Sequence, residues 1–169
     1  MWRYDPIVIN ESWDIPRHIR AFKALCRHIE GNSEQVVISF VDMYKKVRAP
    51  QIRALTEDEM LELADALAQI AGRHGLVPRA CCEAMDFSAL GIEKSACIDA
   101  ALIGRVSGKP VSAKPDPGQR PGCGCCQSVD IGAYNTCPGG CVYCYATSSP
   151  ALAALNAARH NPDGEYLLG

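Results

Sequence analysis

Gln35-Val36-Val37-Ile38-Ser39-Phe40 is a short, nearly continuous apolar run. Runs of this kind belong to strands buried on both faces, as in parallel sheets whose crossovers lay helices over them. Upstream, Ile15, Ile19, Phe22, Cys26 and Ile29 recur at helical spacing, with Pro16 in the favoured first turn and Gly31 as a stop. Cys26 lies on that stripe and reads as a core thiol. Downstream, Thr56 and Glu59 form a capping box ahead of a helix whose Met60, Leu63, Leu67 and Ile70 make one face and which Gly75 ends. Trp2 to Ile9 is β-rich, with Asp5-Pro6 expected to end its strand near Tyr4 or Asp5. Leu76 to Cys81 reads as a weaker strand because of Pro78. A third helix is expected from about Asp99 to Val106, a fourth short strand over Gln127 to Ile131, and a last helix from Pro150 through about Arg159. Alternation of strand and helix argues for a parallel α/β fold. Four βα units make half of a TIM-type barrel. The expected organisation is a single partial barrel over 1–169. Its βα units span 1–107, a Gly/Pro/Cys-rich connection 108–126, and a cysteine loop with the final helix 127–169.

The bulk properties are those of a soluble globular chain: 169 residues, 48% hydrophobic, 21% charged, with a formal net charge of −2. That charge argues against a general pull toward nucleic acid or anionic membrane. Arg105, Lys109, Lys114 and Arg120 gather before the cysteine region, but Pro, Gly and Asp116 interrupt them, as in a solvated loop. Met1 to Pro6 has no apolar leader core, and no stretch approaches a membrane span. Ten cysteines in such a chain point away from disulfides and toward metal or redox chemistry in a reducing cytoplasm. Six of them (Cys123, Cys125, Cys126, Cys137, Cys141 and Cys144) fall in one window, which favours metal over loop-closing bridges. His18, His28, His74 and His160 are scattered without paired spacing and read as solvated or helix-end residues.

Cys137-Pro138-Gly139-Gly140-Cys141-Val142-Tyr143-Cys144 places three thiols at x3 and x2 spacing in a glycine-bearing loop. Three thiolates leave one iron of a cubane [4Fe–4S] cluster open to an outside ligand. A C-x2-C pair with another Cys nearby also suits tetrahedral zinc. The spacing, with an aromatic before the last thiol, resembles the signature of radical S-adenosylmethionine (SAM) proteins. In them SAM chelates the open iron and is cleaved reductively to a radical that abstracts hydrogen from a substrate. Tyr145 follows the last thiol.

Beyond this loop, Trp2-Arg3-Tyr4-Asp5-Pro6-Ile7, Ile38-Ser39-Phe40-Val41-Asp42-Met43-Tyr44, Cys81-Cys82-Glu83, Cys97-Ile98-Asp99 and Ser128-Val129-Asp130-Ile131-Gly132-Ala133-Tyr134 resemble a bacterial family known as domain of unknown function 1848. Its cysteine loop is similar to that of spore photoproduct lyase-like radical SAM proteins. The resemblance implies a [4Fe–4S] cluster on Cys137, Cys141 and Cys144, SAM as cosubstrate with Tyr143 over its adenine, an unknown substrate, and an electron donor such as a flavodoxin or ferredoxin. It also implies a partial member, because the first strand corresponds to one in mid-protein. The alternative is that a second polypeptide completes the barrel. The cysteine loop comes last instead of after the first strand, which implies a permuted order of SAM-contacting segments.

The same resemblance places cysteines at Cys81 (or Cys82), Cys97, Cys123 and Cys125, a candidate second site for zinc or an auxiliary cluster. Gly124 between two of them permits a sharp turn. Core packing is the other reading of Cys81, Cys82 and Cys97, and Cys126 is unassigned. In βα folds, ligand groups gather at the C-terminal ends of strands, here Arg3, Asp5, Ser39, Asp42, Glu83 and Asp130. Asp42 and Glu83 are candidates for the SAM amine or ribose, with a turn cap the alternative for Asp42. Arg3 either binds an anion or pairs with Asp5. Two other classes compete with the radical SAM reading. One is a non-catalytic zinc or iron–sulfur module or an incomplete fragment of a larger enzyme, and the other an electron-carrier or cluster-delivery protein in which Cys125 or Cys126 adds a fourth ligand.

Overall fold

The buried run over Gln35–Phe40 becomes β2, flanked on both sides by parallel strands in a computed structural model that describes residues 1–43 and 51–168. Tyr44, quoted above in the family resemblance, lies outside the described residues. The element order is β1 (Trp2–Ile7), α1 (Ile15–Ile29), β2, α2 (Glu57–Arg73), β3 (Val77–Cys81), a 3-10 turn (Ser88–Leu90), β4 (Glu93–Ser95), α3 (Ala100–Ser107) and α4 (Pro150–Arg159). The four strands form an open parallel sheet in sequential order β1-β2-β3-β4. The chain divides into two compact units, Met1–Val41 with Gln51–Ser128, and Asp42–Pro50 with Val129–Gly169. No helix among the described residues is long and apolar enough to cross a membrane.

Register assigns the two faces of the sheet. Tyr4 lies beside Ile38 and Ile38 beside Ala80, so these side chains share the face that the helices cover. Val36, Ile38 and Phe40 there meet Phe22 and Cys26 of α1 and Leu63, Ala64, Leu67 and Ala71 of α2 in one buried cluster. Each fully buried Leu or Phe contributes roughly 1.5–3 kcal/mol. The offset rows, Arg3–Val37–Arg79–Glu93 and Cys81–Ser95, project to the opposite face. This face, called polar below, carries Arg3, Arg79 and Cys81.

Local signals set the helix ends. Asp14 caps α1 by accepting from the Arg17 amide at 2.8 Å, and Thr56 and Glu59 make the reciprocal capping box of α2. Asp99 caps α3, and Ser149 caps α4 ahead of Pro150. Cys26 is fully buried, as its place on the apolar stripe requires.

Three expectations are corrected, and one weak reading is present. β1 continues through Asp5-Pro6 to Ile7, because an edge strand does not need the amide hydrogen that proline lacks. The weaker strand read over Leu76 to Cys81 is present as β3, which accommodates Pro78 because pairing with β4 begins only at Arg79. The fourth strand is Glu93–Ser95, not Gln127 to Ile131. Val129 and Ile131 have no strand partner and are 85% and 89% exposed. His18 is buried instead of solvated: its Nε2 donates to the Val8 carbonyl at 2.9 Å, leaving Nδ1 to accept from the Tyr4 hydroxyl at 2.8 Å.

Candidate metal-binding thiols

Cys81 closes β3 on the polar face, two rows along from Arg3. Its Sγ lies 3.0 Å from that of Cys97, which follows β4 after one residue. Arg3 Nη1 donates to the Cys97 sulfur at 3.2 Å, while its other nitrogens clamp Asp5, with Nε to Oδ1 at 3.2 Å. The expected Arg3–Asp5 pair is therefore present, and it aims the guanidinium at a thiol. Burial works against the Arg3 charge, but the Asp5 carboxylate and Cys97 sulfur outweigh it and hold its pKa above the ordinary value. The Cys81 thiol is pushed up to about 12, first by burial and then by Cys97, with Arg3 opposing.

The Gly/Pro/Cys-rich connection folds back over this end of the sheet. Gln127 N–H donates to the Lys114 carbonyl at 2.8 Å, Asp116 N–H to the Cys125 carbonyl at 3.2 Å, and Cys126 N–H to the Ile98 carbonyl at 3.0 Å. In return, Ile98 N–H donates to the Cys125 sulfur at 3.4 Å. Burial raises the Cys125 pKa, but the Ile98 amide together with Cys123 and Cys97 brings it below the ordinary value. Cys123 is raised, mainly by burial, and its side chain interacts with Cys125. Gly124 serves a close approach and not a left-handed turn: a Cβ there would lie 3.3 Å from the Ser95 carbonyl oxygen and 3.5 Å from the Ala96 Cβ.

Cys82 adopts φ +53, a conformation unusual for a residue with a Cβ, and its sulfur accepts from Arg120 Nε at 2.9 Å. Cys126 is buried and contributes its backbone to the fold-back. Glu83 accepts from the Phe40 amide at 2.9 Å, tying the exit of β3 to the end of β2. Asp42 is exposed just beyond β2.

In the second unit, Cys137 and Cys141 are exposed and Cys144 and Tyr143 half-buried, on a stretch without helix or strand. Gly139 N–H donates to the Cys137 sulfur at 3.4 Å, and a Cβ at Gly139 would lie 3.2 Å from that sulfur. Gly140 takes φ +66, and Cys144 N–H bonds the Cys141 carbonyl at 3.0 Å. Hydrogen bonding from Thr147 is the main influence lowering the Cys144 pKa. The ends of the loop are tied by Asn135, which the sequence pattern did not single out. Its Oδ1 accepts from the amides of Ser148 and Ser149 at 2.8 and 2.9 Å, its N–H donates to Ala146, and its carbonyl accepts from Asn156. The Ser-Ser-Pro start of α4 was the available signal.

Among the described residues, no three His, Cys, Asp or Glu side chains already stand in metal-holding geometry. The first unit presents a chain of neighbouring sulfurs, and the second a tethered loop of accessible ones. No curated protein matches the chain, and no solved structure does. A family model described as "Domain of unknown function (DUF1848)" matches residues 1–146, from β1 to two residues beyond Cys144, and the chain belongs to that family.

Proposed function

We propose that this chain is a radical SAM-like iron–sulfur protein, with a [4Fe–4S] cluster held by Cys137, Cys141 and Cys144. The observation that carries the reading is the tethered loop: three thiols within eight residues, closed at its base by Asn135. The donor set suits the group. Thiolate is the ligating form, and the Thr147 hydrogen bond favours it at Cys144. The Gly139 amide already faces the Cys137 sulfur, the kind of N–H···S contact that tunes cluster potential. When bound, such a cluster supplies the electron for reductive cleavage of the SAM sulfonium. Tyr143 is proposed to offer its ring to the SAM adenine, and Asp42 and Glu83 are proposed for the SAM amine or ribose.

The sheet supports a partial TIM-type barrel. Its strands are parallel and sequential, helices cover one face, and Arg3, Arg79 and Cys81 occupy the other, which in a closed barrel is the interior. A second polypeptide completing that barrel, a flavodoxin or ferredoxin as electron donor, and a reducing cytoplasm as the site of action belong to the same proposal.

The test is electron paramagnetic resonance of anaerobically reconstituted, dithionite-reduced protein, with and without SAM. A [4Fe–4S]⁺ signal that shifts on adding SAM and disappears in Cys141→Ser is the expected result. A cluster signal indifferent to SAM contradicts radical chemistry and leaves a non-catalytic metal module, and absence of any cluster overturns the reading.

A further inference from the structure

We infer that Cys81, Cys97, Cys123 and Cys125 form a separate site for a single zinc ion, with Arg3 positioned to hold the Cys97 thiolate. This inference does not depend on the cluster proposed for Cys137, Cys141 and Cys144. Three observations converge on it. Cys81 and Cys97 bring their sulfurs to 3.0 Å at the C-terminal ends of neighbouring parallel strands. The Gly124 backbone fits against Ser95 and Ala96 in space that a Cβ would crowd, placing Cys123 and Cys125 at the same end of the sheet. The Ile98 amide and the Arg3 guanidinium each donate to one of the sulfurs, at 3.4 and 3.2 Å. Donors of this kind orient metal-bound thiolates and offset their charge.

The Cys81–Cys97 spacing favours one ion over a cluster. With Zn–S bonds of about 2.3 Å, tetrahedral thiolates stand about 3.8 Å apart. A cubane binds each thiolate at a different iron corner and holds them much farther apart. The 3.0 Å contact between Cys81 and Cys97 is far nearer the single-ion spacing. It also selects Cys81, whose sulfur meets that of Cys97, over Cys82. Four protein ligands leave zinc no open position, so the site is a closed staple joining β3, the segment after β4 and the fold-back. Binding is not a redox step. Zn²⁺ replaces the thiol protons, which pass to solvent.

The test uses a background in which Cys137, Cys141 and Cys144 are all alanine, so that the other thiol set cannot contribute. Refolding with zinc alone is expected to give about one tightly held ion per chain. Replacing zinc with cobalt is expected to give the intense visible absorption of a tetrahedral thiolate site. Cys97→Ala, at an exposed position, should abolish both signals while circular dichroism reports retained helix. Arg3→Gln should keep the ion but weaken chelator-competed affinity about 10-fold or more. Cys82→Ala should change neither. Overturning results are no retained zinc in the background protein, zinc retention unaffected by Cys97→Ala, an iron–sulfur chromophore in place of a single ion, or a Cys81–Cys97 disulfide found by mass spectrometry as the stable state under reducing preparation.

Discussion

Cys137, Cys141 and Cys144 lie within eight residues of one another, with Cys137 and Cys141 exposed and Cys144 half-buried on a loop whose base Asn135 ties. Cys81, Cys97 and Cys125 are spread over 45 residues, yet β3, β4 and the fold-back bring them into a chain of contacts. The difference teaches that closeness in sequence and closeness in space have separate causes. The first set owes its grouping to covalent connection and can reorganise around a large group. The second owes its grouping to a sheet and a packed core, the setting in which a single ion is proposed.

The largest expected effect breaks the second set through its scaffold. Leu67 is 1% exposed between α2 and the sheet, and Leu67→Ala should lower unfolding free energy by about 2–5 kcal/mol in urea titrations. Metal on Cys81, Cys97, Cys123 and Cys125 should become easier to strip. Next in size is Gly124→Ala, which presses a methyl group toward the Ser95 carbonyl. A cost of about 1–3 kcal/mol is expected, together with faster zinc loss to a chelator and unchanged iron content at Cys137, Cys141 and Cys144.

Asn135→Gly reverses that selectivity. Glycine keeps the φ of +57 but removes the side-chain acceptor for Ser148 and Ser149. A loss of about 1–2 kcal/mol in loop closure should reduce cluster yield on reconstitution without affecting zinc. Equal losses of both metals in either variant would erase the distinction between the two regions.

How much of this was legible from sequence follows the same division. The apolar run at Gln35–Phe40, the Thr56/Glu59 box and the Cys137–Cys144 spacing are local patterns, and a local reading found them. Glu93-Lys94-Ser95 is polar and three residues long, and only pairing with Arg79–Cys81 makes it a strand. Arg3 meets Cys97 across 94 residues of chain, a contact no window reveals. The resemblance to the family suggested Cys81, Cys97, Cys123 and Cys125 together, but not the Arg3 contact. Gly124 was read for its turn, whereas its close approach to Ser95 belongs to tertiary structure. Asn135 carries no pattern of its own, because its partners lie 13 and 14 residues ahead.

The smallest effect concerns the scaffold's acid sensitivity. The Arg53 guanidinium, followed by the Thr56 amide, holds the Glu59 carboxyl at about 2. A carboxyl depressed in the folded chain contributes stability that is complete above its unfolded pKa and disappears as pH falls through its folded one. Melting temperature should therefore fall from about pH 4.5 toward about pH 2. Glu59→Gln should flatten that limb, and an unchanged limb would remove Glu59 from the account.

The most direct test of two independent thiol sets is to count iron and zinc per chain in anaerobically reconstituted protein, Cys97→Ala and Cys141→Ser, side by side. The account predicts about four iron and about one zinc in the parent. Cys97→Ala should lose zinc alone, and Cys141→Ser should lose the cluster iron alone. Loss of both metals from either variant, or of neither from both, would contradict it.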